Sequence, residues 1–149
     1  MKLEDEIKQR KFENEKQKLI VNQLFTGRWV ADIISSYLKP YGLTSQQYNV
    51  LRILRGQNDD FISVNGIADR MIDKMSNVSR LIDKLKNKNL VYRKINQDDR
   101  RQVDIEITDE GLELLKKLDN MDSEIERRFN SISEEEAKQL NDLLDKLRG

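Results

Sequence analysis

Two short apolar rows at helical spacing, Val64, Ile67, Ala68, Met71 and then Val78, Leu81, Ile82, Leu85, begin only a few residues apart. Helices joined by so short a link must turn sharply against each other. Directly after them the spacing changes. Leu90, Val91, Tyr92, Arg93, Lys94 and Ile95 are rich in strand formers, and Val103, Ile105 and Ile107 alternate with Gln102, Asp104 and Glu106. The alternation predicts a half-buried strand, and the polar run Asn96 to Arg101 between the two segments predicts an antiparallel hairpin. Either Asn87 or Asn89 suits the left-handed residue that ends the preceding helix.

Local signals place the remaining elements. Thr44 with Gln47 three residues later is a capping-box pattern ahead of Tyr48, Val50, Leu51, Ile53 and Leu54, and Gly56 suits the stop of that short helix. Asp59 to Ser63 reads as a connector, with Ser63 the cap of the next helix. Upstream, Ile20, Leu24, Ala31, Ile34 and Leu38 form one row and Phe25, Trp29, Ile33 and Tyr37 a second, which predicts a helix buried on more than one side and ended by Pro40 and Gly42. Met1 to Lys18 is almost wholly charged and amide, with Ile7 and Phe12 isolated, and reads as a solvated tail or a frayed helical lead-in. Downstream, Thr108 with Asp109 and Glu110 opens a helix continued by Leu112, Leu115, Leu118, Met121, Ile125 and Phe129. Ser133 with Glu136 is a second capping box, ahead of Ala137, Leu140, Leu143, Leu144 and Leu147. The expected order is αα-αα-ββ-αα, a mainly α fold with a small β-hairpin.

Composition removes much chemistry. The 149 residues contain no Cys and no His, which excludes disulfides, thiolate nucleophiles, Ser-His and Cys-His dyads and the usual zinc sites. No catalytic, metal or cofactor site is expected. Asp98 with Asp99 lies on a basic hairpin, and Glu134 to Glu136 opens a capped helix where acidic groups favour the dipole, so neither reads as a magnesium site. No apolar run is long enough to span a membrane and the N-terminus shows no apolar signal core, so a soluble, unprocessed cytoplasmic protein is expected. The net charge of zero hides an asymmetry: residues 1–63 carry 10 basic and 8 acidic groups, 64–101 carry 10 and 5, and 102–149 carry 7 and 14. An anionic partner meets the local patch rather than the total.

Helix, tight turn, helix and hairpin is the arrangement of a winged helix-turn-helix, whose second helix enters the DNA major groove and whose hairpin loop reaches the flanking backbone or minor groove. Here the second helix is expected from about Met75 to Lys88. Lys74, Arg80, Lys84, Lys86 and Lys88 lie on and around it, Arg93 and Lys94 on the first strand, and Arg100 and Arg101 in the loop. With the apolar row inward, Ser76, Asn77, Ser79 and Arg80 are left to face bases and phosphates. Asp99 can hold the Arg101 guanidinium in one orientation, or the two can form an ordinary exposed ion pair. A winged helix used for protein contact is the competing reading.

The stretch from Leu43 to Leu115 resembles the MarR family of bacterial transcription regulators. The similarity rests on LTSQQYNVLRIL, IADRM, NVSRLIDKLKNKNLVYRK and, most specifically, DDRRQVDIEITDEGLELL. In that last run Asp99 and Arg101 fall on the family's wing Asp and Arg, and Thr108, Glu110 and Gly111 on the residues that open the following helix. The resemblance implies a single domain over residues 1–149, with 1–40 and 109–149 forming a helical dimerisation region around a DNA-binding lobe at 44–108. It implies a homodimer, most simply a repressor, on double-stranded DNA with half-sites about one helical turn apart. The N- and C-terminal rows carry more apolar surface than a small winged domain covers, which suits a dimer or an intrachain bundle.

DNA-contacting residues are then expected among Lys74, Met75, Ser76, Asn77, Ser79, Arg80, Lys84, Asp99, Arg100 and Arg101. Where the family commonly has Gly and a Ser cap, this chain has Ile72, Asp73 and Lys74, so Asp73 is an alternative cap. Met75 either touches a thymine methyl or packs down. The resemblance also implies release by a small aromatic or phenolic effector, for which Trp29, Ile33, Tyr37, Tyr48 and Arg52 offer aromatic walls and one cation, or plain core. A ligand-independent activator is the remaining alternative. The cysteine-oxidation switch of one branch of the family is excluded by composition.

Overall fold

The computed structural model describes residues 2–57, 61–74, 77–96 and 103–149. A four-residue helix, α1 (Leu3–Glu6), precedes the long α2 (Glu15–Leu38), and a 3-10 turn at Lys39–Tyr41 leads to α3 (Ser45–Arg55). Then come β1 (Ile62–Ser63), α4 (Val64–Arg70), α5 (Val78–Asn87), β2 (Val91–Ile95) and β3 (Val103–Ile107). The chain closes with α6 (Asp109–Leu118), α7 (Met121–Glu126), a 3-10 turn at Arg127–Phe129 and α8 (Glu134–Arg148).

The caps read from sequence form as hydrogen bonds. Thr44 and Gln47 make a reciprocal capping box, as do Ser133 and Glu136, while Ser63 accepts from the Gly66 N–H and Thr108 from the Gly111 N–H. Gly42 and Asn89 take the left-handed conformation, with φ of 64° and 57°, where α2 and α5 give way to the next segment.

Helix α3 is the centre of the lobe. Val50, Leu51 and Leu54 are fully or almost fully buried, and α3 packs on α2, α4, α5, α6 and β3. Around it Leu38, Ile67, Met71, Ile82, Leu85, Val91, Ile105 and Leu115 complete one core. β3 is the middle strand of a three-stranded antiparallel sheet ordered β1-β3-β2, with Val91 opposite Ile107 and Ile95 opposite Val103.

Six local expectations change. The connector ahead of α4 contains β1, pairing Ile62 with Ile105 and Ser63 with Asp104; a two-residue strand is too short to show a period. That third strand buries Asp104, which breaks the alternation of β3, and Asn96 Nδ2 donates to Asp104 Oδ2 at 2.8 Å. The single helix expected over Leu112 to Phe129 is interrupted at Asp119 and Asn120, poor helix formers beside carboxylates drawn to α3. α5 begins at Val78, not near Met75, with Asn77 as its flanking residue, and Asp73 is not its cap: it accepts from Gln46 Nε2 at 3.0 Å.

The fifth is the N-terminus, which is no solvated tail. Leu3 is buried, Glu4 pairs with Lys18 at 2.6 Å, and α2 starts at Glu15, five residues before the first of its apolar rows, capped by Asn14. The Lys18 hydrogen bond lowers the Glu4 pKa and raises that of Lys18. Burial of α2 on more than one side does not occur within one chain, where only Leu38 is buried and Ile20 and Leu24 are 62% and 72% exposed.

Candidate nucleic-acid interface

The two faces of α5 differ completely. Val78, Leu81, Ile82 and Leu85 are buried at helical spacing against the core, which leaves Ser79, Arg80, Asp83, Lys84, Lys86 and Asn87 exposed. α3 fixes the turn that precedes this helix. Asn49 Oδ1 accepts from the Ile72 N–H at 3.0 Å, and the Gln46 to Asp73 bond lies one turn away on the same helix.

Among the expected DNA-contacting residues, Asn77, Ser79, Arg80 and Lys84 come together as exposed groups at the start and along the outer face of α5. Lys74 is also exposed, with its ammonium donating to the Asp69 carbonyl at 2.7 Å. Met75, Ser76, Asp99, Arg100 and Arg101 lie outside the described residues.

The cations around α5 divide by what they touch. Arg93 Nη2 pairs with Asp83 Oδ1 at 2.9 Å and donates to the Ser79 carbonyl at 3.3 Å; the Lys94 ammonium sits 4.6 Å from the centre of the Phe61 ring; Lys88 donates to the Gly42 carbonyl. The side chains of Arg80, Lys84 and Lys86 make no hydrogen bond or ion pair to another described residue. On the other face of β2, the Tyr92 hydroxyl donates to Glu106, and this bond to a carboxylate holds the phenol pKa above its usual value.

Two ion pairs join α3 to the α6–α7 junction: Arg52 to Asp122 at 2.7 Å and Arg55 to Asp119 at 2.6 Å. Arg52 also donates to the Tyr48 hydroxyl at 3.1 Å. That bond, followed by the Asp122 carboxylate, raises the guanidinium pKa against the opposing effect of partial burial.

Tyr48, Arg52 and Asp122 line a cleft of about 460 Å³ together with Ile34, Met121 and Ile125. Of the expected effector residues the fold therefore brings Tyr48 and Arg52 together there. Tyr37 packs against the lobe core and Ile33 is half-buried on α2. Trp29 stands edge-on to Phe129, ring centres 5.6 Å apart, and borders a separate cavity of about 340 Å³ beside Leu3 and Phe25. Sequence reasoning did not find Ile34, Met121, Asp122 or Ile125; the only local signal was the i,i+4 apolar pair Met121 and Ile125, which says nothing about which helix it meets. Among the described residues there is no metal-holding cluster of His, Cys, Asp or Glu, and no helix long and apolar enough to cross a membrane.

The family model described as transcriptional regulator SarA/Rot matches residues 32–118, from the second half of α2 to the end of α6. The chain belongs to the SarA/Rot family. Its relatives are transcription regulators rather than enzymes: the HTH-type transcriptional regulator SarZ of Staphylococcus aureus is 30% identical over 114 residues, 76% of this chain and 73% of that protein. Its fold is that of the MarR-type winged-helix regulators. AbsC of Streptomyces coelicolor, a MarR family transcriptional regulator, matches with a TM-score of 0.81 at 26% identity, over 93% of this chain and 95% of AbsC. The S. aureus MepR–DNA complex matches with a TM-score of 0.76 at 27% identity, over 83% of this chain and 90% of MepR. Within this SarA/Rot chain α4 and α5 form the helix-turn-helix, and the sheet β1-β3-β2 is the base of the wing.

Proposed function

We propose that this SarA/Rot-family chain is a sequence-specific DNA-binding transcriptional regulator, acting in the cytoplasm as a homodimeric repressor of a pseudo-palindromic operator. The observation that carries the reading is the outer face of α5, where Asn77, Ser79, Arg80 and Lys84 stand exposed over a buried apolar row, in a fold shared with a protein solved on DNA. Arg and Asn reach base edges in the major groove, and Lys and Ser hold phosphates. Residues 44–108 form the DNA-binding lobe, and 1–40 with 109–149 form the dimerisation region.

Support for the dimer comes from α8. This fifteen-residue helix has a capping box and an apolar row, yet buries no residue within its own chain. Leu140, Leu143 and Leu147 are 50%, 62% and 56% exposed beside Leu19 of α2. An apolar helical face of this kind needs a partner to be stable in water, and a two-fold copy supplies one with closure. A small aromatic or phenolic effector fits the cleft under Tyr48 and Arg52, where it competes with the Arg52–Asp122 pair that ties the lobe to α7.

Selection of bound sequences from a random duplex library, at two salt concentrations, tests the reading. A palindrome with half-sites about 10 base pairs apart is expected. Arg101→Ala, made on the basis of the wing motif, should weaken operator binding by about 1 to 3 kcal/mol without unfolding the protein. Affinity should fall by about a thousandfold between 50 and 200 mM salt if about six phosphates are contacted. Absence of any enriched sequence, or a flat salt response, would move the assignment to a winged helix used for protein contact.

A further inference from the structure

The sequence places Arg93 in the basic patch, as one more cation facing an anionic partner. The structure gives its guanidinium other work. It bridges two groups one turn apart on α5, the Asp83 carboxylate at 2.9 Å and the Ser79 backbone carbonyl at 3.3 Å, and only about a third of its side chain is exposed, at 31%. Its own strand is fixed in the sheet, with Arg93 opposite the fully buried Ile105. The bridge therefore connects the outer flank of the helix to the base of the wing.

The residues it holds are the ones that matter. Ser79 lies between Asn77 and Arg80 in the first turn of α5, and a shift of about 1 Å there is enough to misalign hydrogen bonds to base edges. Asp83 lies one turn on along the same helix, and one planar fork meets both acceptors, which a Lys ammonium does less well. We propose that Arg93 is a positioning residue for the recognition helix, acting on DNA through Ser79 and Asp83 rather than by contacting a phosphate. Direct phosphate neutralisation falls instead to Lys84 and Lys86, whose side chains have no partner among the described residues.

This inference rests on the DNA-binding reading, and binding of the unaltered protein to its selected operator tests that reading separately. Operator and random-duplex affinities are then measured across a salt series for Arg93→Gln, Asp83→Asn and Lys84→Gln. A phosphate contact contributes about 0.9 to the slope of log affinity against log salt and acts on all sequences alike. Lys84→Gln should behave that way. Arg93→Gln should lower operator affinity about tenfold, leave random-duplex affinity within about twofold, and leave the salt slope unchanged.

Asp83→Asn gives the opposite sign under the two roles. If Arg93 positions the helix, losing its carboxylate partner lowers the ratio of operator to random-duplex affinity. If Arg93 contacts phosphate, freeing it raises both affinities and steepens the slope. A slope reduced by about one in Arg93→Gln, with equal loss on both duplexes, would overturn the proposal. So would a variant that melts earlier yet binds operator at full strength once folded, since that marks a role in stability alone.

Discussion

Leu143→Asp is expected to abolish the proposed dimer and with it about a hundredfold or more of operator affinity. The side chain is 62% exposed in a single chain, so the substitution leaves no cavity in the core and buries no charge there. In the proposed dimer the same carboxylate enters the apolar patch that Leu143 shares with Leu19, Leu140, Leu144 and Leu147, where an unpaired charge costs several kcal/mol. The winged lobe keeps its own core around Leu51, Ile67, Ile82 and Ile105 and should remain helical. Sedimentation should therefore give the 17.6 kDa chain mass with a circular dichroism spectrum still dominated by helix. Loss of the dimer removes the linkage between two half-site contacts, each weak by itself. Twice the chain mass in the variant, or unchanged operator affinity, would take α8 out of the interface.

The second large effect belongs to Gly111→Ala. Gly111 opens α6 at the point where α5, the hairpin and α6 converge, and its amide donates to Thr108 Oγ1 at 3.1 Å. A Cβ at this position would lie 2.5 Å from the Leu90 carbonyl oxygen and 2.6 Å from Ile107 Cγ1. The Ile107 side chain can rotate away, but the Leu90 carbonyl cannot, because it accepts the Thr108 N–H at 3.1 Å while the Thr108 hydroxyl donates to the Asn89 carbonyl at 2.7 Å. Relief requires α6 to back off from the end of α5 and break that network. The expected cost is about 3 kcal/mol, a fall in Tm of about 10 °C for a chain of this size. Thermal denaturation by circular dichroism measures it, and an unchanged Tm would mean that α6 can tilt without loss. The reason for glycine here is space rather than a left-handed backbone, since Gly111 is not among the positive-φ residues.

These two sites show how differently parts of the fold were written into the sequence. Thr108 to Gly111 could be read as a helix start from residue types alone, because the cap is closed within four residues. The same holds for Thr44 with Gln47 and Ser133 with Glu136. The buried row of α5 and its exposed polar face were equally legible, because a helix places every third and fourth residue together whatever it packs on. Reading the start of α5 three residues early has the converse cause: a periodic row locates a helix well and its first turn badly when no side-chain cap closes it, as at Asn77.

Everything carried by partners far apart in sequence had to wait for the tertiary structure. Ser63 opposite Asp104, Arg52 with Asp122, Gln46 with Asp73 and Arg93 with Asp83 are separated by 41, 70, 27 and 10 residues, and nothing near any of them in the chain names the other. For that reason a buried Asp104 looked like a solvent-facing strand residue, and Arg93 looked like a free cation. The sequence by itself determined the apolar rows of the helices, the caps at Thr44, Ser63, Thr108 and Ser133, the paired strands and the polar face of the second helix of the pair, because those follow from periodicity and from hydrogen bonds closed within one turn. Only the tertiary structure decided which cations remain available to a nucleic acid, which carboxylates are neutralised inside the chain, and which residues share a cleft. Those outcomes depend on distances of a few ångströms between elements, set by how a common core around α3 packs.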